Sequence, residues 1–307
     1  MPGTASPLRD VEGTIFDLDQ TAIHDGPGVR MNVYLKGCPL RCIWCHSPES
    51  QSFRPEVVWY EAKCTRCGQC VPACPEGVRS FDVVDEDAGT RCRLCGACVS
   101  VCPSGALEIK GQQTTAGELL DEALRLKPFF RRTGGGITLT GGEPTAQPEF
   151  SLAVAGLCGE AGVHVAMETC GFVEWRVLSR LTKVVDLFLF DVKHVAAGLH
   201  QQYTGVSNRR ILSNLRRLAE TGADVIARVP LIPSMNDDPE TVGAMGRRIM
   251  ELGVLRVSLL PFNPATRGKY SWLRRHAPIA GATQQSLEHV AMLQQIVADE
   301  GLEVVPP

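Results

Sequence analysis

Long apolar runs are missing from this sequence. No stretch approaches the roughly 18 consecutive apolar residues of a transmembrane helix, so we expect no contact with a membrane. The first residues, MPGTASPLRDVEGTIF, contain no apolar run preceded by positive charge and predict no secretory signal. A charge excess is also missing, since 31 basic residues face 34 acidic ones. Without a basic stripe we expect no nucleic-acid partner, and we expect a cytoplasmic location.

Cysteine, in contrast, is abundant and concentrated. The 307-residue chain has 13 cysteines, and eleven of them lie between Cys38 and Cys102. In a reducing compartment, clustered cysteines are metal ligands or redox groups rather than disulfides. The sequence therefore predicts metal centres in its first third.

The chain length and a local change in composition predict one large domain with a small insert. Residues 1–53 and 114–307 form the main domain, and residues 54–113 form the cysteine-rich insert. The insert is too small to bury a core of its own, so metal must hold it together.

In the main domain, strand patterns alternate with helical patterns. Six strands are predicted, at 31–37, 136–144, 161–168, 184–191, 224–231 and 255–261. Helices are predicted at 115–126, 208–221, 239–252 and 284–300. This alternation indicates an α/β fold with a parallel sheet, and the pattern alone fits both a partly closed barrel and an open doubly wound sheet. Both place their chemistry at the carboxyl ends of the strands.

The insert contains two matching units, CTRCGQCVPACP (64–75) and CRLCGACVSVCP (92–103). Each has the C-x2-C-x2-C-x3-C-P spacing of bacterial ferredoxins, in which the fourth cysteine binds the other cluster. One 4Fe–4S cluster is therefore assigned to Cys64, Cys67, Cys70 and Cys102. The other is assigned to Cys92, Cys95, Cys98 and Cys74. Structural zinc is the alternative, and two complete ligand sets with terminal prolines argue against it.

A third constellation, KGCPLRCIWCHSPE (36–49), has three cysteines, Cys38, Cys42 and Cys45, and no fourth at ferredoxin spacing. A three-cysteine zinc site completed by His46 is one interpretation. The C-x3-C-x2-C spacing after a first strand also resembles the radical S-adenosylmethionine (SAM) superfamily. That resemblance implies a third 4Fe–4S cluster whose open iron is chelated by the cofactor's amino and carboxylate groups.

Downstream, TGGEP (140–144) follows the second predicted strand of the series. Glycines allow a close backbone approach, and the carboxylate is an acceptor for an ammonium. In the superfamily a Gly-Gly-Glu motif at this place contacts the methionyl amino group, which implies cofactor binding by Gly141, Gly142 and Glu143.

The order of motifs along the chain indicates a resemblance to one family within this superfamily. DGPGVR (25–30), the cysteine triplet, the two-cluster insert, TGGEP, DVKH (191–194) and YTGVSN (203–208) resemble the glycyl radical enzyme activating enzymes. The similarity runs from Gly13 to about Trp272. It implies a partial (β/α)6 TIM-like barrel with a ferredoxin-like insert, related to the pyruvate formate-lyase activating enzyme, which lacks the insert.

The resemblance also implies individual roles. Trp44 packs near the adenine, while Asp191, Lys193 and Arg228 contact the cofactor. Cys38, Cys42, Cys45 and Lys193 form the catalytic set. The remaining implied residues are Glu168, Thr169 and Asp191 for a monovalent cation, and Asp25, Gly26 and Arg30 near the partner's glycine loop.

Three positions depart from the family pattern: Ser47 replaces an Asn, Glu168 replaces a shorter Asp in the cation site, and Asn263 replaces a His. Lys193 and Arg228 have a structural alternative, an ordinary salt bridge, and 25–28 is also an ordinary turn sequence. Cys158 and Cys170 are given no role.

The function implied is reductive cleavage of S-adenosylmethionine to methionine and a 5′-deoxyadenosyl radical, which abstracts a hydrogen from a glycine Cα. The implied partners are a glycyl radical enzyme and an external low-potential donor such as flavodoxin or ferredoxin. Two alternatives are a radical enzyme acting on a small molecule and a non-catalytic electron carrier. The carrier explains the eight insert cysteines but not the triplet.

Overall fold

The computed structural model describes residues 7–80 and 91–306 of the chain. The strands are β1 (Glu12–Ala22), β2 (Arg30–Leu35), β3 (Glu56–Trp59), β4 (Leu107–Lys110), β5 (Gln112–Thr115), β6 (Gly136–Gly141), β7 (His164–Thr169), β8 (Leu187–Asp191), β9 (Val225–Pro230), β10 (Arg256–Leu260) and β11 (Glu303–Val304). The helices are α1 (Ala97–Ser100), α2 (Ala116–Thr133), α3 (Pro148–Glu160), α4 (Trp175–Leu181), α5 (Ala197–Thr204), α6 (Arg209–Glu220), α7 (Pro239–Glu251), α8 (Arg267–Trp272) and α9 (Leu287–Asp299). No helix among these residues is long and apolar enough to cross a membrane.

The main sheet has nine strands in the order β11-β10-β9-β8-β7-β6-β2-β1-β5. Every neighbouring pair from β2 to β11 is parallel. Each new parallel strand is added on the same side as the one before, whereas a doubly wound sheet reverses its order at a switch point. The order is therefore that of a partial barrel, and all six predicted strands are present in it.

Two strands on the other side of β2 were not predicted. β1 pairs antiparallel with β2, and β5 pairs antiparallel with the first four residues of β1. Residues 17–21 of β1 read DLDQT, a polar run that gives no apolar alternation for most of the strand's length. The hairpin between β1 and β2 contains the DGPG turn, which lies at the edge of the site described below.

Helix α2 illustrates how the local sequence sets an element's bounds. It begins after Thr115, whose side chain accepts a hydrogen bond from the Glu118 amide, while the Glu118 carboxylate accepts from the Thr115 amide. It was predicted to end at Leu126 but continues through Pro128 to Gly134, which has φ +72°. Burial of Phe130 in the core accompanies this extension.

Alternate residues of the barrel strands point to opposite faces of the sheet. Phe188 and Phe190 of β8 belong to the large core between sheet and helices. Leu187 and Leu189 belong instead to a small cluster on the inner face, with Ala166 of β7 and Ile226 of β9. Glu168, Asp191 and Arg228 each lie two residues after a member of this cluster on the same strand. They therefore also point to the inner face, at the carboxyl ends of the strands.

The predicted insert contains a separate two-stranded sheet, in which β3 pairs antiparallel with β4. Its cysteine loops lie between these strands in sequence. Gln112 and Gln113, assigned to the insert from sequence, already belong to β5 of the main sheet. Part of the segment between the two cysteine units, residues 81–90, lies outside the described residues.

Candidate functional site

A cavity of about 840 Å³ opens at the carboxyl ends of the barrel strands. It brings together most of the barrel residues predicted for the site, which lie far apart in sequence. The predicted residues that line it are Asp25, Cys38, Cys42, Trp44, Cys45, Gly141, Gly142, Glu168, Thr169, Asp191, Lys193 and Arg228. Glu143, Gly26 and Arg30 are not among the described lining residues.

The loop with Cys38, Cys42 and Cys45 begins directly after β2. It is anchored on helix α5, because the Arg41 amide donates to the Thr204 carbonyl at 2.8 Å and the Ile43 amide donates to the Tyr203 carbonyl at 3.0 Å. All three cysteines are free thiols. Their side chains therefore converge on one cavity from a loop with a defined backbone path.

Burial disfavours ionisation of these three thiols. It raises the pKa of Cys42 to about 12, even though the nearby Lys193 ammonium opposes that rise. Burial also raises the pKa of Cys38 and Cys45. A metal centre that binds here must therefore displace the thiol protons.

A mononuclear zinc site is not preformed in this loop. Within residues 7–80 and 91–306, no group of three or more His, Cys, Asp or Glu side chains is arranged to hold a single ion. A cubane is different, because its cysteines bind separate iron atoms. The donor set of three thiols around one cavity therefore fits a 4Fe–4S cluster, with room left for a ligand at the remaining iron.

The two glycines of TGGEP are required by neighbouring backbone. Gly141 has φ +99°, and a Cβ there would stand 2.7 Å from the Leu35 amide nitrogen. A Cβ on Gly142 would overlap the carbonyl oxygen of Gly37, which immediately precedes Cys38. The Gly142 amide donates to the Leu35 carbonyl at 2.7 Å. The glycines therefore let the β6 turn pack against the cysteine loop.

Replacing Gly142 by alanine is expected to disturb both stability and cluster assembly. The new methyl group meets backbone, which cannot rotate away, so we expect a loss of about 1–3 kcal/mol in the free energy of unfolding. Denaturant unfolding and iron content after reconstitution measure the two effects. Gly156→Ala is the matched control, since a Cβ there meets nothing within 4 Å on helix α3. Equal iron content in both variants would contradict the prediction.

Glu143 is held by hydrogen bonds within the protein. Its carboxylate accepts hydrogen bonds from the Thr145 amide and hydroxyl, from the Thr169 hydroxyl at 2.7 Å and from the Cys170 amide at 2.8 Å. The residue is 1% exposed. It braces the end of β6 against the end of β7, and its contact with the cofactor stays a prediction.

Two charged groups that converge on the cavity are held by carboxylates. The Lys193 ammonium lies 2.7 Å from Asp191, and the Arg228 guanidinium lies 3.1 Å from Asp25 and 3.5 Å from Glu168. Burial opposes the charge on Lys193, but Asp191 and the Cys42 thiol outweigh it and raise the pKa of the ammonium well above its usual value. The salt-bridge alternative is thus present, and both bridges lie on the cavity wall.

The predicted cation-site residues also lie together. Burial raises the pKa of Glu168 to about 7, an effect that Arg228 opposes. The Thr169 hydroxyl donates to Glu143, and the Thr140 hydroxyl donates to Glu168 at 2.5 Å. The oxygens available to a cation are therefore carboxylates of Glu168 and Asp191, each of which already faces a cationic side chain.

Trp44 forms an apolar wall of the cavity. It is 5% exposed, packs with Ile232 and Phe262, and meets the Tyr203 ring edge-on at 5.8 Å between centroids. A flat apolar surface of this kind suits an aromatic ring such as a purine base. This placement agrees with the role that the resemblance implied.

The DGPG turn is supported from beneath by Arg30. The Arg30 side chain is fully buried and donates to the Thr138 hydroxyl, the Ile137 carbonyl and the Pro27 carbonyl at 3.1 Å. Arg30 thus supports the turn, and its place near the partner's glycine loop stays a prediction. Asp25, in contrast, lines the cavity and pairs with Arg228.

A second, smaller cavity lies in the insert, and it supports the cross-repeat pairing of cysteines. Cys64, Cys67, Cys70 and Cys102 all line it, three from the first unit and one from the second. The two units also match in backbone detail. The amides of Arg66 and Leu94, both at positive φ, donate to the sulfurs of Cys64 and Cys92 at 3.4 Å.

The second predicted ligand set comprises Cys92, Cys95, Cys98 and Cys74. These are also free thiols, with Cys95 exposed and Cys98 buried. Cys67, the middle cysteine of the first unit, is exposed as well. Each unit therefore presents one cysteine to solvent at the same position of its repeat.

Several cavity residues were missed from the sequence. They are Phe16, Asp17, Leu18, Asp19, Gln20, Tyr34, Leu40, Ser50, Thr140, Cys170, Pro230, Ile232, Leu260, Pro261, Phe262, Ala265, Thr266 and Lys269. Asp17 and Asp19 belong to the unpredicted strand β1, whose mostly polar residues 17–21 gave no strand signal. Cys170 follows β7, and burial, Glu143 and Cys38 raise its pKa well above the usual value.

Comparison with known proteins gives a consistent picture. The radical SAM superfamily is matched by residues 32–243. The chain is 40% identical over 275 residues to the choline trimethylamine-lyase activating enzyme of Oleidesulfovibrio alaskensis, covering 87% of this chain and 89% of that protein. It is also 40% identical over 260 residues to the trans-4-hydroxy-L-proline dehydratase activating enzyme of Clostridioides difficile, covering 83% of this chain and 86% of that protein.

Among solved structures, Streptococcus suis SuiB bound to precursor peptide SuiA has a TM-score of 0.55. The likeness covers 88% of this chain and 46% of that chain, at 12% identity. At this identity the likeness is one of fold alone. It agrees with the partial barrel derived from the strand order.

Proposed function

The chain belongs to the radical SAM superfamily and, within it, to the glycyl radical enzyme activating enzymes, and we propose that it installs a radical on one glycine of a partner enzyme. The observation that carries this proposal is the convergence of three thiols, two buried ion pairs and an apolar wall on one cavity. A reduced cluster held by Cys38, Cys42 and Cys45 would supply one electron for cleavage of S-adenosylmethionine to methionine and a 5′-deoxyadenosyl radical, and that radical would take a hydrogen atom from the glycine Cα.

Different residues around the cavity are proposed to bind different parts of the cofactor. We propose that Cys38, Cys42 and Cys45 hold the cluster and leave one iron open. Lys193 meets the cofactor carboxylate as a positive charge, and Asp191 holds that ammonium in place. Trp44 receives the adenine, and the backbone of Gly141 and Gly142 faces the methionyl group. These groups orient the cofactor and exclude water from it.

The insert is proposed to hold two further 4Fe–4S clusters and to relay electrons. The common cavity of Cys64, Cys67, Cys70 and Cys102 supports the first ligand set. The N–H···S contacts repeated in both units support the same chemistry for the second set, Cys92, Cys95, Cys98 and Cys74. Amides that donate to cysteine sulfur are among the groups that tune such clusters.

The remaining assignments follow from this function. The proposed substrate is the glycine loop of a glycyl radical enzyme, entering near Asp25 and Gly26 at the edge of the cavity. The proposed electron donor is an external flavodoxin or ferredoxin, and the proposed location is the anaerobic cytoplasm. A monovalent cation at Glu168, Thr169 and Asp191 stays a prediction.

Two spectroscopic and chemical measurements test the function. The reconstituted, dithionite-reduced protein is expected to convert S-adenosylmethionine to 5′-deoxyadenosine. With its partner glycyl radical enzyme, it is expected to give a glycyl radical doublet in electron paramagnetic resonance. Absence of 5′-deoxyadenosine would refute the radical chemistry. 5′-Deoxyadenosine without a doublet would favour a small-molecule substrate instead.

A further inference from the structure

The insert cavity lined by Cys64, Cys67, Cys70 and Cys102 has two arginines in its wall. They are Arg79, from the insert, and Arg274, from the segment after helix α8 of the main domain. Among the described residues that line this cavity, there is no carboxylate. Two guanidinium groups, and no carboxylate among the described lining residues, therefore lie in the wall beside the first cysteine set.

Arg274 is held in this position by three features. Its backbone has φ +56°, its Nη1 donates to the Ser80 carbonyl at 2.6 Å, and its guanidinium lies over the Trp59 ring at 5.6 Å. Trp59 itself lines the cavity. A side chain anchored at backbone, at its tip and along an aromatic face keeps its charge at a fixed distance from the cysteines.

Arg79 contributes a second, independent observation. Its Nε is buried and, among the described residues, lacks a hydrogen-bond acceptor. A buried donor beside a ring of cysteine sulfurs points to an anionic acceptor, which a thiolate-bound cluster provides.

The second cysteine set has a different electrostatic setting. Arg91 and Arg93 flank Cys92 and are both exposed, and Arg93 pairs with Glu76 at 2.5 Å. Water and the carboxylate both offset its charge. A cubane with four cysteinates becomes more anionic on reduction, so fixed positive charge favours the reduced form.

We propose that Arg79 and Arg274 raise the reduction potential of the cluster at Cys64, Cys67, Cys70 and Cys102 above that of the other insert cluster. The inference rests on the proposed function, which assigns both clusters. A difference of this sign would direct electrons through the insert. An electron would preferentially occupy the higher-potential cluster, which is the one that the main domain contacts.

The segment that contributes Arg274 connects the two metal sites. Trp272 meets Tyr60 of the insert edge-on at 5.0 Å between centroids. Three residues earlier, Lys269 lines the barrel cavity and pairs with Glu49 at 3.0 Å, four residues after Cys45. Helix α8 thus joins the Arg274 end of the insert to the cysteine loop of the barrel. The higher-potential cluster is the one nearest this bridge.

The test is a redox titration followed by electron paramagnetic resonance. The full chain carries Cys38→Ala, Cys42→Ala and Cys45→Ala, so that only insert clusters contribute. Arg274→Gln and Arg79→Gln, made separately, are each expected to move one midpoint to more negative potential. We expect at least a tenfold change in the ratio of reduced to oxidised cluster, or about 59 mV for one electron. The other midpoint is expected to stay unchanged.

Matched variants show whether the arginine charge causes the shift in midpoint and which cluster is affected. Arg274→Lys keeps the charge and is expected to keep the midpoint close to that of the parent chain, while Arg180→Gln, on the distant helix α4, is expected to cause no shift. In chains that also carry Cys92→Ala and Cys95→Ala, the remaining midpoint is expected to respond to Arg274→Gln.

The outcomes separate this inference from the function on which it rests. About eight irons per chain with unshifted midpoints would overturn the charge effect and leave the cluster assignment standing. A shift confined to the Cys92 set would also overturn it. Absence of cubane signals in the parent chain would refute both the inference and the cluster assignment of the insert.

Discussion

Replacing Cys42 by alanine is expected to abolish 5′-deoxyadenosine formation and glycine activation while the insert clusters persist. Cys42 is one of only three cysteines on the barrel loop, and its loss leaves too few thiolates to hold a cubane. Iron content should fall from about 12 to about 8 atoms per chain, because each cubane holds four. Iron analysis and 5′-deoxyadenosine quantification measure the two effects together.

Cys170→Ala is the matched control for this variant. Cys170 is also a buried thiol on the wall of the same cavity, and Cys38 is among the groups that raise its pKa. We expect this variant to keep about 12 irons and its activity, since the open iron needs no fourth cysteine. Loss of four irons from Cys170→Ala would instead show that Cys170 is a fourth protein ligand of the cluster at Cys38, Cys42 and Cys45. A parent chain that forms no 5′-deoxyadenosine, together with a Cys42→Ala variant that keeps full electron-transfer function, would indicate a non-catalytic electron carrier.

The carboxyl ends of the parallel strands were the most predictable part of this molecule. Cys38, Glu168 and Asp191 each follow or end a β-branched or apolar run, and parallel strands bring such ends to one edge. Strand alternation then decides the face, so Asp191 and Arg228 become neighbours in register. Local pattern and elementary sheet geometry suffice for this part of the site.

Sequence reasoning failed where contacts depend on tertiary packing. Strand β1 is polar along much of its length, and it forms because β2 pairs with it, so Asp17 and Asp19 were missed. Cys170 lies more than a hundred residues from the triplet, and only the adjacency of β6 and β7 brings it to the cavity. Spacing rules cannot find a thiol that arrives from another strand.

The role of Glu143 shows a different limit. Its place in TGGEP was predicted, but four donors occupy its carboxylate in the folded chain. The hydroxyl of Thr169 and the amide of Cys170 come from the next strand, so no local sequence signal identifies them as its partners. A motif can therefore mark the position of a site without revealing which atoms face the ligand.

Replacing Lys193 by methionine is expected to weaken S-adenosylmethionine binding by about 30-fold or more without loss of iron. The Lys193 ammonium is 13% exposed and lies 2.7 Å from Asp191 on the cavity wall. Its removal takes away the proposed partner of the cofactor carboxylate and leaves the Asp191 carboxylate unpaired beside that anion. Truncating one member of a buried charge pair costs about 2–5 kcal/mol, and every 1.4 kcal/mol is tenfold in affinity. Equilibrium dialysis with radiolabelled cofactor measures the dissociation constant.

Two further variants separate cofactor recognition from fold stability. Lys183→Met removes an exposed lysine just before strand β8 and is expected to change neither binding nor iron content. Lys193→Met with Asp191→Asn removes both charges, so part of the lost affinity is expected to return if the unpaired carboxylate is what repels the cofactor. If Lys193→Met bound the cofactor as the parent chain does, the ion pair would be only structural. Its effect would then appear in the free energy of unfolding and not in the dissociation constant.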